Sequence, residues 1–186
     1  MKNVRALIAG YTPKCEQEAR DRAQMLAFMD ATDGWLTREN AMAHVTASAW
    51  LVDPARTRVL MVYHNIYRSW SWVGGHADGV SDLLGVALRE AGEETGVQAR
   101  AVMDGPISIE SLCVNGHVKR GCYVAAHIHM NVTYLLEADP DAVTRIKPDE
   151  NSGVMWIDFG EVDGRTSEEC MRPIYEKLIR RAAQAQ

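Results

Sequence analysis

The chain has 186 residues, is 47% hydrophobic and carries a formal net charge of −5. That length and apolar content suit one globular domain with a sizeable core. Lysines and arginines are scattered and outnumbered by acids, which excludes the basic footprint of a nucleic-acid-polymer binder but leaves room for a small phosphorylated ligand held with metal ions.

At the amino end Lys2 and Arg5 accompany a short apolar stretch, Ala6 to Gly10, which is too short for a signal-peptide core or a membrane span. The expectation is a cytoplasmic chain with no membrane partner. Lys14 to Met29 is predicted helical, with Ala19, Ala23, Leu26 and Ala27 at helical spacing, and it ends before the turn-like Asp30-Ala31-Thr32-Asp33-Gly34. Ala43 to Val52 and Arg58 to His64, separated by Asp53-Pro54-Ala55-Arg56, read as paired strands. Ser81 to Thr95 is the next predicted helix, with Ser81 able to cap it and Gly96 placed where helices close in the left-handed region.

Beyond it, Ala99 to Met103 and Ile107 to Val114 read as strands. Tyr123 to Ala138 carries the strongest alternation, with His127, His129, Asn131 and Thr133 on one face and Ile128, Met130, Val132 and Tyr134 on the other, a pattern of one face in and one out. Val154 to Phe159 is a short strand. Ser167 to Ala183 is a closing helix with Ser167 as its N-cap, unless Pro173 marks its start. Cys15, Cys113, Cys122 and Cys170 show no Cys-x-x-Cys spacing and read as reduced, mostly packed side chains. No repeat or long linker divides the chain. The expected organisation is one domain over residues 1–186, with a helical extension at 1–34, a core at 35–165 and a closing helix at 166–186. The element order implies an α/β fold, a mixed β-sheet sandwiched between α-helices.

Chemistry concentrates between Gly75 and Val97. At about 100° per residue, Glu93 and Glu94 flank Glu90, and the three acids share roughly a 100° sector beside an apolar stripe of Leu84, Ala87, Leu88 and Ala91. Like charges this close are unfavourable by roughly 0.2–0.5 kcal/mol per pair, and the carboxyl end of the helix dipole opposes them further. A divalent cation would offset that cost, and hard ions such as Mg²⁺ take carboxylate oxygens together with substrate phosphates. Gly74 and Gly75, ahead of the helix, let the backbone approach a ligand closely.

The run Gly75, Arg89, Glu90, Glu93, Glu94, Gly96 and Val97 resembles the Nudix box, Gly-x5-Glu-x7-Arg-Glu-U-x-Glu-Glu-x-Gly-U with U aliphatic. Two positions depart from it: Ser81 replaces the first glutamate, and Ala91 stands where a larger aliphatic residue is usual. The box covers 23 residues, and the segment before about residue 35 lies outside the resemblance.

The resemblance implies the Nudix fold and a hydrolase that cleaves a phosphoanhydride bond in a nucleoside diphosphate linked to another group, with Mg²⁺ or Mn²⁺ as cofactor. It implies Glu93 and Glu94 as the principal metal-binding pair, Glu90 as the third acid, Gly75 as a carbonyl donor to the metal, and Arg89, Gly75 and Gly96 as structural residues. Arg89 can pair with Glu93 at helical spacing. The general base of the family is not fixed, and Glu150 in the loop Pro148-Asp149-Glu150-Asn151 is the candidate outside the box. The replacement at Ser81 supports a second reading, a catalytically weak nucleotide or nucleotide-sugar sensor. The isoprenoid isomerase branch of the family needs a cysteine and acid arrangement that the chain does not show.

His76 in the box loop and Trp72 before the glycine pair are the candidate substrate-binding residues, although a tryptophan at a strand end is more commonly core. His127 and His129 share one strand face at a spacing that can bind metal, but alternating histidines without nearby acids or cysteines are more often surface or pocket-wall residues. The expected partner is a small nucleotide-derived substrate. A homodimer is compatible with the sequence, which does not decide the oligomeric state.

Overall fold

The computed structural model describes residues 4–119 and 121–185. In chain order they form α1 (Val4–Gly10), α2 (Glu16–Ala31), β1 (Ala43–Val52), β2 (Arg58–His64), β3 (Ser69–Ser71), β4 (Val73–His76), α3 (Leu83–Thr95) and β5 (Ala99–Ala101). Then follow β6 (Ser108–Val114), β7 (His117–Lys119), β8 (Cys122–Val124), β9 (His127–Ala138), β10 (Asn151–Asp158), a 3-10 turn (Phe159–Glu161), α4 (Val162–Arg165) and α5 (Arg172–Gln184).

A mixed eight-stranded sheet lies at the centre, with the order β10-β2-β1-β9-β5 and with β3, β4 and β6 paired to β2, β1 and β9 respectively. β1 and β9 run parallel along their whole length, from Ala43 opposite Ile128 to Val52 opposite Glu137. Every residue of β1 is buried, because helices cover both faces. Its odd-numbered side chains, Val45, Ala47, Ala49 and Leu51, share a core with residues of α1, α2 and α3. On the opposite face Trp50 and Val52 pack with Tyr175, Leu178 and Ala182 of α5. No helix among the described residues is long and apolar enough to cross a membrane.

β1 and β2 pair as expected, but only next to their turn, at Val52 opposite Val59. Farther along, β4 takes the edge of β1 from Thr46 to Ala49, while β2 pairs with β3 and β10. The strand expected from Tyr123 is interrupted: residues 122–124 belong to a separate hairpin with β7, and the long strand starts at His127.

Its alternation does not divide core from solvent, since residues 130–136 are all buried. The polar face of β9 instead meets other polar side chains. Asn131 accepts from the Thr46 and Ser48 hydroxyls, both at 2.9 Å, and donates to Glu110 at 3.2 Å. Lys177 of α5 reaches the same Glu110 carboxylate at 3.0 Å. Toward the amino end of β9, burial and then the neighbouring imidazoles of His76, His44 and His127 bring His129 down to about 2.

The closing helix begins at Arg172, with Pro173 in its first turn, so Ser167 does not cap it. Ser167 lies in the preceding loop, where its N–H donates to Ser69 Oγ at 3.0 Å. The four cysteines are exposed thiols rather than packed ones. α2 covers the free edge of β6: the Ser111 N–H donates to Asp21 at 2.9 Å, and Gln17 Nε2 donates to the Ile109 carbonyl at 3.2 Å. That satisfies an edge otherwise open to pairing with another chain.

Candidate active site

α3 starts where Asp82, not Ser81, accepts the Gly85 N–H at 3.2 Å. It ends at Gly96, whose φ of +80° and N–H bond to the Gly92 carbonyl close the helix in the left-handed conformation. A Cβ at Gly96 would also stand 2.6 Å from Arg145 Cγ. The box loop before α3 is fastened by a bidentate ion pair between Arg38 and Asp78, at 2.8 and 2.6 Å, and by the Gly79 N–H on the Leu36 carbonyl at 2.9 Å. These bonds hold the loop without the glutamate that Ser81 replaces. Nothing in the structure explains glycine at 92.

The buried stripe of α3 comprises Leu83, Val86, Ala87, Ala91, Glu94 and Thr95, whereas Leu84 and Leu88 are only partly covered. Small residues on both sides, Ala87 and Ala91 against Ala47 and Ala49, let the helix sit close to β1 and β4. The glycine pair belongs to this close approach. A Cβ on Gly74 would lie 2.5 Å from Ser48 Oγ and 2.8 Å from the Ala47 carbonyl oxygen, and one on Gly75 would lie 2.5 Å from the Glu90 carboxyl carbon.

The three box acids therefore do not share one environment. Glu94 is 3% exposed and accepts the Gly74 N–H at 3.0 Å. Glu90 lies under Arg89, which donates to it at 2.8 Å. Glu93 is turned outward, with its side chain 46% exposed between Arg89 at 3.6 Å and Lys147 at 3.3 Å. Arg89 thus binds Glu90 more closely than the Glu93 expected from helical spacing.

Glu150 enters from the loop before β10. That loop is anchored by Asn151, whose side-chain amide donates to the Glu94 carbonyl at 3.0 Å, and by the Asn65 N–H on the Glu150 carbonyl at 2.9 Å. Ligand oxygens of Glu90, Glu94 and Glu150 all lie within 4.8 Å of one another. Burial first, and then the Glu150 and Glu90 charges, push Glu94 up to about 8 against the pull of the Gly74 N–H. Lys147 stands at the outer edge, 3.0 Å from Glu150, and those carboxylates hold it above its ordinary value in spite of its burial.

Hard oxygen donors gathered with too little positive charge fit a Mg²⁺ or Mn²⁺ ion. Sequence reasoning missed Lys147, and its i,i+3 spacing to Glu150 was the available signal. Arg38 carried none, because its partner Asp78 is 40 residues away.

The two substrate-side candidates meet other rings. Trp72 packs edge-on against Tyr175, ring centroids 5.5 Å apart, and its backbone N–H donates to the Tyr175 hydroxyl. His76 stands beside His44 and His129, at 5.1 and 4.9 Å between ring centroids.

The NUDIX domain family profile matches residues 42–181, well over half of the chain. The chain belongs to the Nudix family. Among solved structures, this Nudix chain is similar to a NUDIX-family hydrolase from Clostridium perfringens, with 19% identity and a TM-score of 0.54 over 73% of this chain and 95% of that one. A C. elegans Ap4A hydrolase aligns at 14% identity and a TM-score of 0.49, over 72% of this chain and 93% of the other. A MutT structure, from a study of the Aliivibrio salmonicida and Vibrio cholerae proteins, aligns at 10% identity and a TM-score of 0.46, over 73% and 95%. The first of these likenesses establishes the shared fold. No curated protein sequence matches the chain.

One expected outcome follows from the glycine approach to Glu90. Gly75→Ala should displace that carboxylate and lower kcat about 10–100-fold, since a misplacement of about 1 Å can cost that much. Steady-state kinetics with Mg²⁺, alongside a melting curve showing that the fold persists, checks it.

Proposed function

We propose that this Nudix chain hydrolyses a phosphoanhydride bond in a nucleoside diphosphate linked to another moiety, using Mg²⁺ or Mn²⁺. The convergence of Glu90, Glu94 and Glu150 at the glycine approach of β4 carries this reading. Bound by these acids, the ion would polarise the diphosphate and lower the pKa of a water molecule.

The protein's own part is positioning and charge. Glu90 and Glu94 project from the same helix, Arg89 orients Glu90, and Glu150, on its anchored loop, would accept a proton from the attacking water. Lys147, beside Glu150 at the outer edge of the acids, would supply positive charge to a departing phosphate. The Gly75 backbone carbonyl is a further candidate ligand, because its residue abuts the Glu90 carboxylate, and Glu93 is another that must leave Lys147 and Arg89 to join the others. Trp72 and His76 are the substrate-side candidates. The partner would be a small nucleotide derivative, bound by a single domain to which α1 and α2 are a helical extension.

The test is incubation with nucleoside triphosphates, dinucleoside polyphosphates, ADP-ribose and nucleotide sugars, measuring released phosphate or nucleotide. Turnover of at least one class is expected with Mg²⁺ or Mn²⁺, lost in EDTA and restored by adding the ion back. Tight binding with no turnover across the panel would support the sensor reading, which the replacement of the first box glutamate by Ser81 favours.

A further inference from the structure

β1 and β9 start side by side, with His44 opposite His129 in the parallel register. Because alternate residues share a face, His44, Thr46 and Ser48 lie on the side of the sheet away from α3, and His127 and His129 lie with them. The three rings meet at centroid distances of 4.9–5.0 Å. One ligand nitrogen from each imidazole falls within 4.8 Å of the others, and this trio contains no carboxylate.

Two tautomers are settled by the backbone. His44 Nδ1 is 3.0 Å from the Asn40 carbonyl oxygen, and His127 Nδ1 is 2.8 Å from that of Ala125. A carbonyl can only accept, so each Nδ1 carries a proton and Nε2 is the nitrogen left to ligate. His44 is 4% exposed, and its Nε2 is buried without a hydrogen-bond partner. His127 Nε2 faces His129 Nε2 at 3.1 Å. Such an orphaned acceptor has a desolvation cost that a cation would relieve.

We propose that His44, His127 and His129 form a site for one divalent transition-metal ion of the Zn²⁺ class, separate from the carboxylate cluster at α3. Imidazoles whose other nitrogen donates to a backbone carbonyl are the usual form of histidine ligands to such ions. Two nitrogens about 2.0–2.1 Å from a tetrahedral ion stand about 3.3 Å apart, close to the observed 3.1 Å between His127 and His129. His129 Nε2, which can donate to His127 when no ion is present, becomes a ligand by moving its proton to Nδ1. Nitrogen donors select Zn²⁺, Co²⁺, Ni²⁺ or Cu²⁺ over Mg²⁺, whereas the acids at α3 have the opposite preference. The site would clamp the beginnings of two central strands.

The experiment is titration of the EDTA-stripped full chain with Co²⁺, followed by displacement with Zn²⁺. One equivalent of Co²⁺ should give the visible absorption of a low-coordinate nitrogen site, which Zn²⁺ abolishes and millimolar Mg²⁺ leaves in place. His127→Gln, at a partly exposed position, should weaken Zn²⁺ binding more than about 100-fold, because losing a direct ligand exceeds the 10–100-fold cost of losing an outer partner. Glu94→Gln should bind Zn²⁺ as the unaltered chain does. No Co²⁺ absorption, equal Zn²⁺ affinity in His127→Gln, or loss of binding in Glu94→Gln would each overturn the site. X-ray absorption of the Zn²⁺-loaded natural chain decides without any variant: imidazole scattering supports the site, and an all-oxygen shell refutes it.

Discussion

Glu94→Gln is expected to lower kcat about 1,000-fold with KM nearly unchanged, which corresponds to about 4 kcal/mol of lost transition-state stabilisation. Glutamine keeps the shape and the oxygen that accepts the Gly74 N–H, so what disappears is a negative charge held at 3% exposure. The same change should stabilise the metal-free chain. Burial raises the Glu94 carboxyl to about 8, so its favourable contribution is complete below its ordinary value and is lost as pH rises through 8. In EDTA at pH 8 the variant should therefore melt at a higher temperature than the unaltered chain, while the natural chain should gain more from added Mg²⁺. Glu93→Gln should cost clearly less activity, because Arg89 and Lys147 hold that side chain outside the cluster. An equal or larger loss would mean that Glu93 moves inward when the ion binds and that the Glu90, Glu94 and Glu150 set is incomplete.

The elements that were legible in the sequence are those whose causes are local. β1 and β2 match their expected bounds because an unbroken apolar, β-branched run meets a turn signal at Asp53-Pro54. Gly96 ends α3 because a left-handed residue is needed there. Helical offsets placed the three acids on one edge, but depth came from packing. Ala87 and Ala91 draw the helix onto β1, carry Glu94 into the interior and leave Glu93 outside.

Alternation along β9 likewise defined two faces without saying what covers them. The face carrying Asn131 and Thr133 is lined by Glu110, Thr46 and Ser48. His44 could not be joined to His127 and His129 from spacing, since only the parallel pairing of β1 with β9 brings them together. The exposed cysteines show the limit of residue-type averages, which favour burial for thiols that this surface leaves open.

Glu18→Ala should destabilise the chain by about 3–5 kcal/mol, the cost of breaking a buried ion pair from one side. Glu18 is fully buried in α2, where it accepts from the Tyr11 hydroxyl at 2.8 Å, the Lys14 N–H at 2.8 Å and the Arg181 guanidinium, with the Lys177 ammonium at 3.6 Å. Removing the carboxylate leaves Arg181 and Lys177, whose side chains are 12% and 8% exposed, facing each other with less negative charge between them. For a chain of this size about 2–4 °C of melting temperature accompanies each kcal/mol, so Tm should fall by roughly 10 °C. Arg180→Ala, which breaks a pair with both side chains more than half exposed, should change stability by less than about 1 kcal/mol.

Acid titration separates this role from simple cavity formation. Burial pushes Glu18 up, but Arg181 and the other donors outweigh it and hold the carboxyl at about 2. Its contribution is therefore present above its ordinary value of 4.5 and is lost as pH falls through 2. The natural chain should lose stability across that window, and Glu18→Ala should lose less. Parallel pH profiles would show that the acid acts only by filling space. Because the bonds run from α2 to α5 across 163 residues, the variant also tests whether the segment before the family match is fastened to the core by this charge.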